Sequence, residues 1–186
     1  MPQASPEEVG RELSDLAFGI IEQNWLEQHV GKTVDLKSLD QLRLNVAEWE
    51  FTYLILFAIT KGCGTFSALD SARTTAILKG FHSTVLSHIA EQAGQDVADE
   101  HKKNLPARYR LYGQTLEGED TNKPYKTPYR LLGEAAALQI LGQPFTDPHD
   151  VDNFRETIKV IFTEVREATI KIMSFQQAQA ANPGYS

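Results

Sequence analysis

Residues 81–94 read FHSTVLSHIAEQAG and bring His82, His88 and Glu91 within one stretch. Imidazoles and a carboxylate on one helix are the raw material of a metal site or of acid–base chemistry. Spacing decides against the simplest form of that idea. A helix turns about 100° per residue, so His82 and His88 fall about 120° apart. They lie on opposite flanks of a stripe made by Leu78, Phe81, Val85 and Ile89. A chelating pair on a helix needs i, i+3 or i, i+4 spacing. His88 and Glu91 have it, but Glu91 rotates toward solvent. The Glu-x-x-His motif of di-metal carboxylate bundles does not occur in the chain. A metal would need His82 or His88, Glu50 and a third ligand such as Glu134 or Glu164. The expectation is therefore no metal and no cofactor, with the histidines hydrogen-bonded between helices.

Glu50 sits where its helix turns from amphipathic to wholly apolar. A carboxylate there either forms a structural ion pair, with an arginine such as Arg73 or Arg155, or serves as a general base. The ion pair is the expected outcome. The alternative is a hydrolase or metal-carboxylate enzyme with Glu50, His82 and His88 as its catalytic residues. Cys63, in KGCG, reads as an exposed turn residue. No cysteine-centred signature surrounds it, and a helix stop accounts for its glycines. Phosphate-loop and dinucleotide fingerprints are absent. DPHD at residues 147–150 reads as an N-cap with acids favouring the helix dipole.

The strongest regional signal is a basic, tyrosine-rich stretch at residues 102–130. Lys102, Lys103, Arg108, Arg110, Lys123, Lys126 and Arg130 outnumber Glu117, Glu119 and Asp120, giving +4 in a chain of net charge -7. The remainder therefore carries -11. Four of the six tyrosines fall here: Tyr109, Tyr112, Tyr125 and Tyr129. Arg108 and Tyr112 share a helix face at i, i+4, while Lys126 and Arg130 straddle the start of the next helix, where free N–H groups attract anions. Arg108, Tyr109, Tyr112, Lys126, Tyr129 and Arg130 are the candidate ligand-binding residues. The competing reading is structural: tyrosines pin a long loop across the helices while their hydroxyls stay wet.

These residues need helices to position them, and the punctuation is helical throughout. Ser5, Pro6 and Glu8 form a capping box, followed by Leu13, Leu16, Ala17, Ile20 and Ile21 at helical spacing, with Gly31 as a stop. Ser38 with Gln41 opens a second helix with the stripe Leu42, Val46, Trp49, Tyr53 and Leu56. Its residues 51–59 are apolar on all sides, hence central and buried, and KGCG ends it. Ser67 with Asp70 starts a third helix running to about Gly94. A fourth covers about 97–116, with Pro106 breaking or kinking it. Thr127 and Pro128 start a short helix that ends at Gly142. Asp147 and Pro148 open the last and longest one, with the stripe Val151, Phe154, Ile158, Ile161, Phe162, Val165 and Ile172. No sustained alternation or hairpin signal competes.

The expected fold is all-α: a single-domain helical bundle of about six helices over residues 1–176, with a polar, flexible tail at 177–186. Length, an apolar share of 41% and a charged share of 23% suit one soluble domain. The longest apolar run is far short of the roughly 20 residues a bilayer span needs. One cysteine permits no internal disulfide. The acidic N-terminal stretch lacks a signal-peptide core, so a cytoplasmic setting is expected. The functional expectation is a non-enzymatic binding or interaction protein whose surface around residues 102–130 takes a protein partner or a small anionic ligand. Nucleic acid is disfavoured by the overall acidity, no membrane contact is expected, and a homo-oligomer remains open.

Overall fold

The computed structural model describes residues 4–33, 35–66, 70–117, 130–142 and 148–181. The chain is an all-α helical bundle. Seven α-helices, two 3-10 turns and no strand occur among the described residues. No described helix is long and apolar enough to cross a membrane.

Helix α1 (Pro6–Glu22) starts with the expected capping box. The Ser5 N–H donates to Glu8 Oε2 at 2.7 Å, and the Glu8 N–H donates to Ser5 Oγ at 3.1 Å. The helix stops well before Gly31. Asn24 enters the left-handed region at φ 57° and turns the chain into the short helix α2 (Trp25–His29). Asparagine tolerates that conformation better than most residues, and this corner accounts for the seventh helix. Two 3-10 turns follow, Val30–Lys32 and Leu36–Ser38.

Helix α3 (Gln41–Thr65) is capped by Asp40, whose carboxylate accepts the Arg43 N–H at 2.7 Å. Ser38, the expected cap, instead donates its hydroxyl to the Asp35 carbonyl at 2.7 Å. Residues 51–59 are all buried, as their composition requires. Leu42 is not part of the inward stripe: it is 76% exposed, and Ala47 takes the inner position. The helix runs through KGCG and ends one residue beyond it, at Thr65. A Cβ on Gly62 would lie 2.8 Å from Thr169, so this glycine serves a close helix–helix approach rather than a stop.

Helix α4 (Ser71–Ala93) is capped by Asp70, which accepts the Arg73 N–H at 2.7 Å, and is ended by Gly94 at φ 97°. Helix α5 (Gln95–Glu117) runs through Pro106 without ending there. Helix α6 (Arg130–Leu141) ends at Gly142, φ 72°. Arg43 donates to the Leu141 and Gln139 carbonyls at 3.0 Å each, taking up terminal acceptors of α6. Helix α7 (Pro148–Ala181) buries Phe154, Ile158, Ile161, Phe162, Val165, Thr169 and Met173. Met173 takes the inward place expected of Ile172, which is half-buried, and the side chain of Val151 lies outside the described residues. Ser67, Thr127, Pro128 and Asp147, read as helix starts, lie outside the described residues, as does the end of the tail beyond Ala181.

The helices contribute to two compact units. One holds the chain up to Gly19, Ala58–Asn104 and the part from Glu164; the other holds Ile20–Phe57 and Leu105–Thr163. In the first unit, α1 crosses α4 at very close range. A Cβ on Gly10 would lie 2.6 Å from the Phe81 nitrogen and 2.8 Å from the Gly80 carbonyl carbon. One turn on, the Ser14 hydroxyl reaches the Phe81 carbonyl at 3.2 Å. Replacing Gly10 with alanine should cost about 1–3 kcal/mol, because backbone rather than a flexible side chain must move. The same change at Gly113, which has open space around it, should stabilise by up to about 1 kcal/mol through helix propensity. Urea unfolding of both variants checks the opposite signs.

Candidate functional site

The second unit contains the polar cluster in which the candidate residues meet. On α3, Glu50, Tyr53 and Phe57 follow at i, i+3 and i+7 and so share one face. On α5, inward positions recur at alternating three- and four-residue steps: Ala98, His101, Leu105 and Tyr112 are buried, and Arg108 is half-buried. Arg108 Nε donates to both oxygens of Glu50, at 2.9 Å and 2.6 Å, and Nη2 donates to Oε1 as well. The Glu50 side chain is 6% exposed and that of Arg108 29%. This is a forked guanidinium–carboxylate pair of the strong, geometrically specific type.

The expected ion pair at Glu50 thus exists, but its partner is neither Arg73 nor Arg155. Arg73 donates to the Ala4 carbonyl at 2.7 Å. Arg155 pairs with Glu134 and Asp152. The hydrogen bonds to Glu50 hold the Arg108 guanidinium above its ordinary pKa against the opposing effect of burial.

Tyr112 is fully buried. Its ring lies 5.5 Å from that of Phe57, which also meets Tyr109 at 5.6 Å and Phe162 at 5.9 Å. Burial, reinforced by the Glu50 charge, pushes the Tyr112 phenol well above its usual range, so it stays protonated. Its hydroxyl has no hydrogen-bond partner among the described residues. Tyr112 is therefore a core residue and not a wet surface anchor. Lys126 and Tyr129, and the side chain of Arg130, lie outside the described residues, as do Lys123 and Tyr125. Of the six candidate ligand-binding residues, the structure brings together Arg108, Tyr109 and Tyr112.

His82 and His88 belong to the first unit. His82 is half-buried, and its Nδ1–H donates to the Leu78 carbonyl at 2.8 Å. Burial holds its pKa below the ordinary value, partly offset by that hydrogen bond. His88 lies against Phe18, ring centroids 4.0 Å apart. Phe81, Val85 and Ile89 of the expected stripe are buried, but Leu78 is only half-buried and Ile77 takes the inward place. His82 therefore flanks the buried stripe, while His88 falls at its edge between Ile77 and Phe81. No group of three or more His, Cys, Asp or Glu side chains is placed to hold a metal ion among the described residues. Cys63 is not on an exposed turn. It is buried inside α3, and burial raises its thiol to about 12, which suppresses the thiolate.

One concave feature escaped the reading of motifs: a cleft of about 460 Å³ in the second unit, at the corner formed by α2, the 3-10 turns and α3. Its position depends on the Asn24 corner, which no periodic pattern announces. No family model matches the chain, and no curated protein or solved structure matches it either.

Proposed function

We propose that the protein acts by binding rather than catalysis, through the basic stretch at residues 102–130 and toward an acidic protein partner or a small anionic ligand. The supporting observation is a division of labour along α5. Arg108 and Tyr112 are taken into the fold, while Lys102, Lys103 and Arg110 are exposed and pair with no carboxylate among the described residues. Cations left unpaired in a chain of net charge -7 are available to an outside anion. Glu50, the base of the alternative enzymatic reading, has its carboxylate engaged by Arg108.

The test is a titration of wild-type protein with a fluorescent oligoglutamate peptide and, separately, with pyrophosphate. Binding should weaken between about 50 and about 200 mM salt, since screening shortens the Debye length to about 10 Å at 0.1 M. The triple variant Lys102→Ala, Lys103→Ala, Arg110→Ala should lose binding with each change costing under about 1 kcal/mol of stability. Absence of binding at low salt, or binding that survives the triple change, would rule the reading out.

A further inference from the structure

We infer that the cleft at the α2–α3 corner is a binding site for a small zwitterion with an aliphatic body, an amino acid or short peptide. This inference is independent of the basic stretch. The volume of about 460 Å³ falls within the range of small-molecule sites, about 300–1,000 Å³. Leu26 and Leu36 are nearly buried in it and Leu44 is half-buried, so the lining has an apolar component. Around it stand charges of both signs: Lys32 and Lys37 against Glu27, Asp35 and Glu48.

No two of these five side chains form an ion pair. The local fold already uses two of the acids. Glu27 accepts from Asn24 Nδ2 at 2.7 Å, and Asp35 accepts the Lys37 backbone N–H at 3.2 Å. The carboxylate of Glu48 and the ammonium groups of Lys32 and Lys37 have no partner among the described residues. A purely anionic ligand would meet three carboxylates, and a purely cationic one two ammonium groups. A ligand carrying both charges avoids each repulsion, with its ammonium on Glu48, its carboxylate on the lysines and its aliphatic part against the leucines.

The experiment is an NMR amide titration of the whole protein with four probes: leucine, leucyl-leucine, 4-methylpentanoate and isopentylamine. Leucine or leucyl-leucine should produce saturable shifts confined to residues around Gly31, Lys32, Leu36, Lys37 and Glu48; which of the two binds tighter separates an amino acid from a peptide. The two single-charge probes should bind about tenfold more weakly, each lacking one charge-assisted contact. Glu48→Gln and the pair Lys32→Gln, Lys37→Gln should each reduce affinity about tenfold while the melting temperature is unchanged. Equal affinity for all four probes, shifts mapping elsewhere, or no saturation with either zwitterion would overturn the assignment.

Discussion

Replacing Tyr112 with alanine is expected to cost about 3–5 kcal/mol, the loss associated with truncating a fully buried aromatic. The fully buried ring fills space against Phe57, so its removal leaves a cavity in the core. Tyr112→Phe should behave quite differently. The hydroxyl has no partner among the described residues, so its removal takes away a buried polar group rather than a hydrogen bond. The change should fall within about 1 kcal/mol of wild type, in either direction. Urea unfolding midpoints for the two variants give the comparison. A loss under about 1 kcal/mol in Tyr112→Ala would return this tyrosine to the surface and to the candidate ligand site.

The second large effect concerns Glu50 and Arg108, and it should be asymmetric. Arg108→Ala leaves a carboxylate with 6% of its side chain exposed and no partner, whereas Glu50→Ala leaves an arginine that is 29% exposed. The arginine can solvate itself by a modest rotation; the carboxylate cannot. Arg108→Ala should therefore cost about 3 kcal/mol or more, at the level seen when one partner of a buried pair is removed. Glu50→Ala should cost less, about 1.5–3 kcal/mol, the scale of a lost hydrogen bond to a charged group. The double variant Glu50→Leu, Arg108→Met should recover most of the loss, because apolar residues of similar size often replace such pairs at little cost. A double-mutant cycle measures the coupling. Additive losses would mean that the two side chains act independently and would undo the structural account of this pair.

These two expectations also separate stability from binding. Arg108 and Tyr112 carry the fold, so their variants report on unfolding. Lys102, Lys103 and Arg110 are exposed, so their variants report on partners. Altering Arg108 to test anion binding would confuse the two.

Features set by neighbours along the chain were legible in the sequence. The Ser5–Glu8 box, the glycine ends at Gly94 and Gly142, the buried run 51–59 and the inward face of α7 from Phe154 to Val165 each follow from capping chemistry or from a 3.6-residue period. The separation of His82 from His88 follows from helix angle alone. Decisions made by distant residues were not legible. Gly62 looked like part of a helix stop because a glycine's local preference is to end a helix. The helix does end just beyond it, at Thr65, but only the approach of Thr169 shows that Gly62 itself serves packing. Asp40 displaced Ser38 as a cap because Ser38 itself is drawn into the 3-10 turn Leu36–Ser38.

The inward face of α5 was concealed for a different reason. Its three-and-four spacing runs through His101 and Arg108, polar residues that hydrophobic periodicity does not count. Composition therefore marked residues 102–130 as a surface, with Arg108 and Tyr112 at its centre. The fold turned both inward: a half-buried guanidinium is tolerated when a carboxylate meets it in forked geometry, and Glu50, 58 residues earlier, supplies one. Local sequence thus determined where helices form and which face of the apolar ones is inward. Tertiary structure decided which charges are partners and which are free, because pairing depends on distances between residues far apart in the chain.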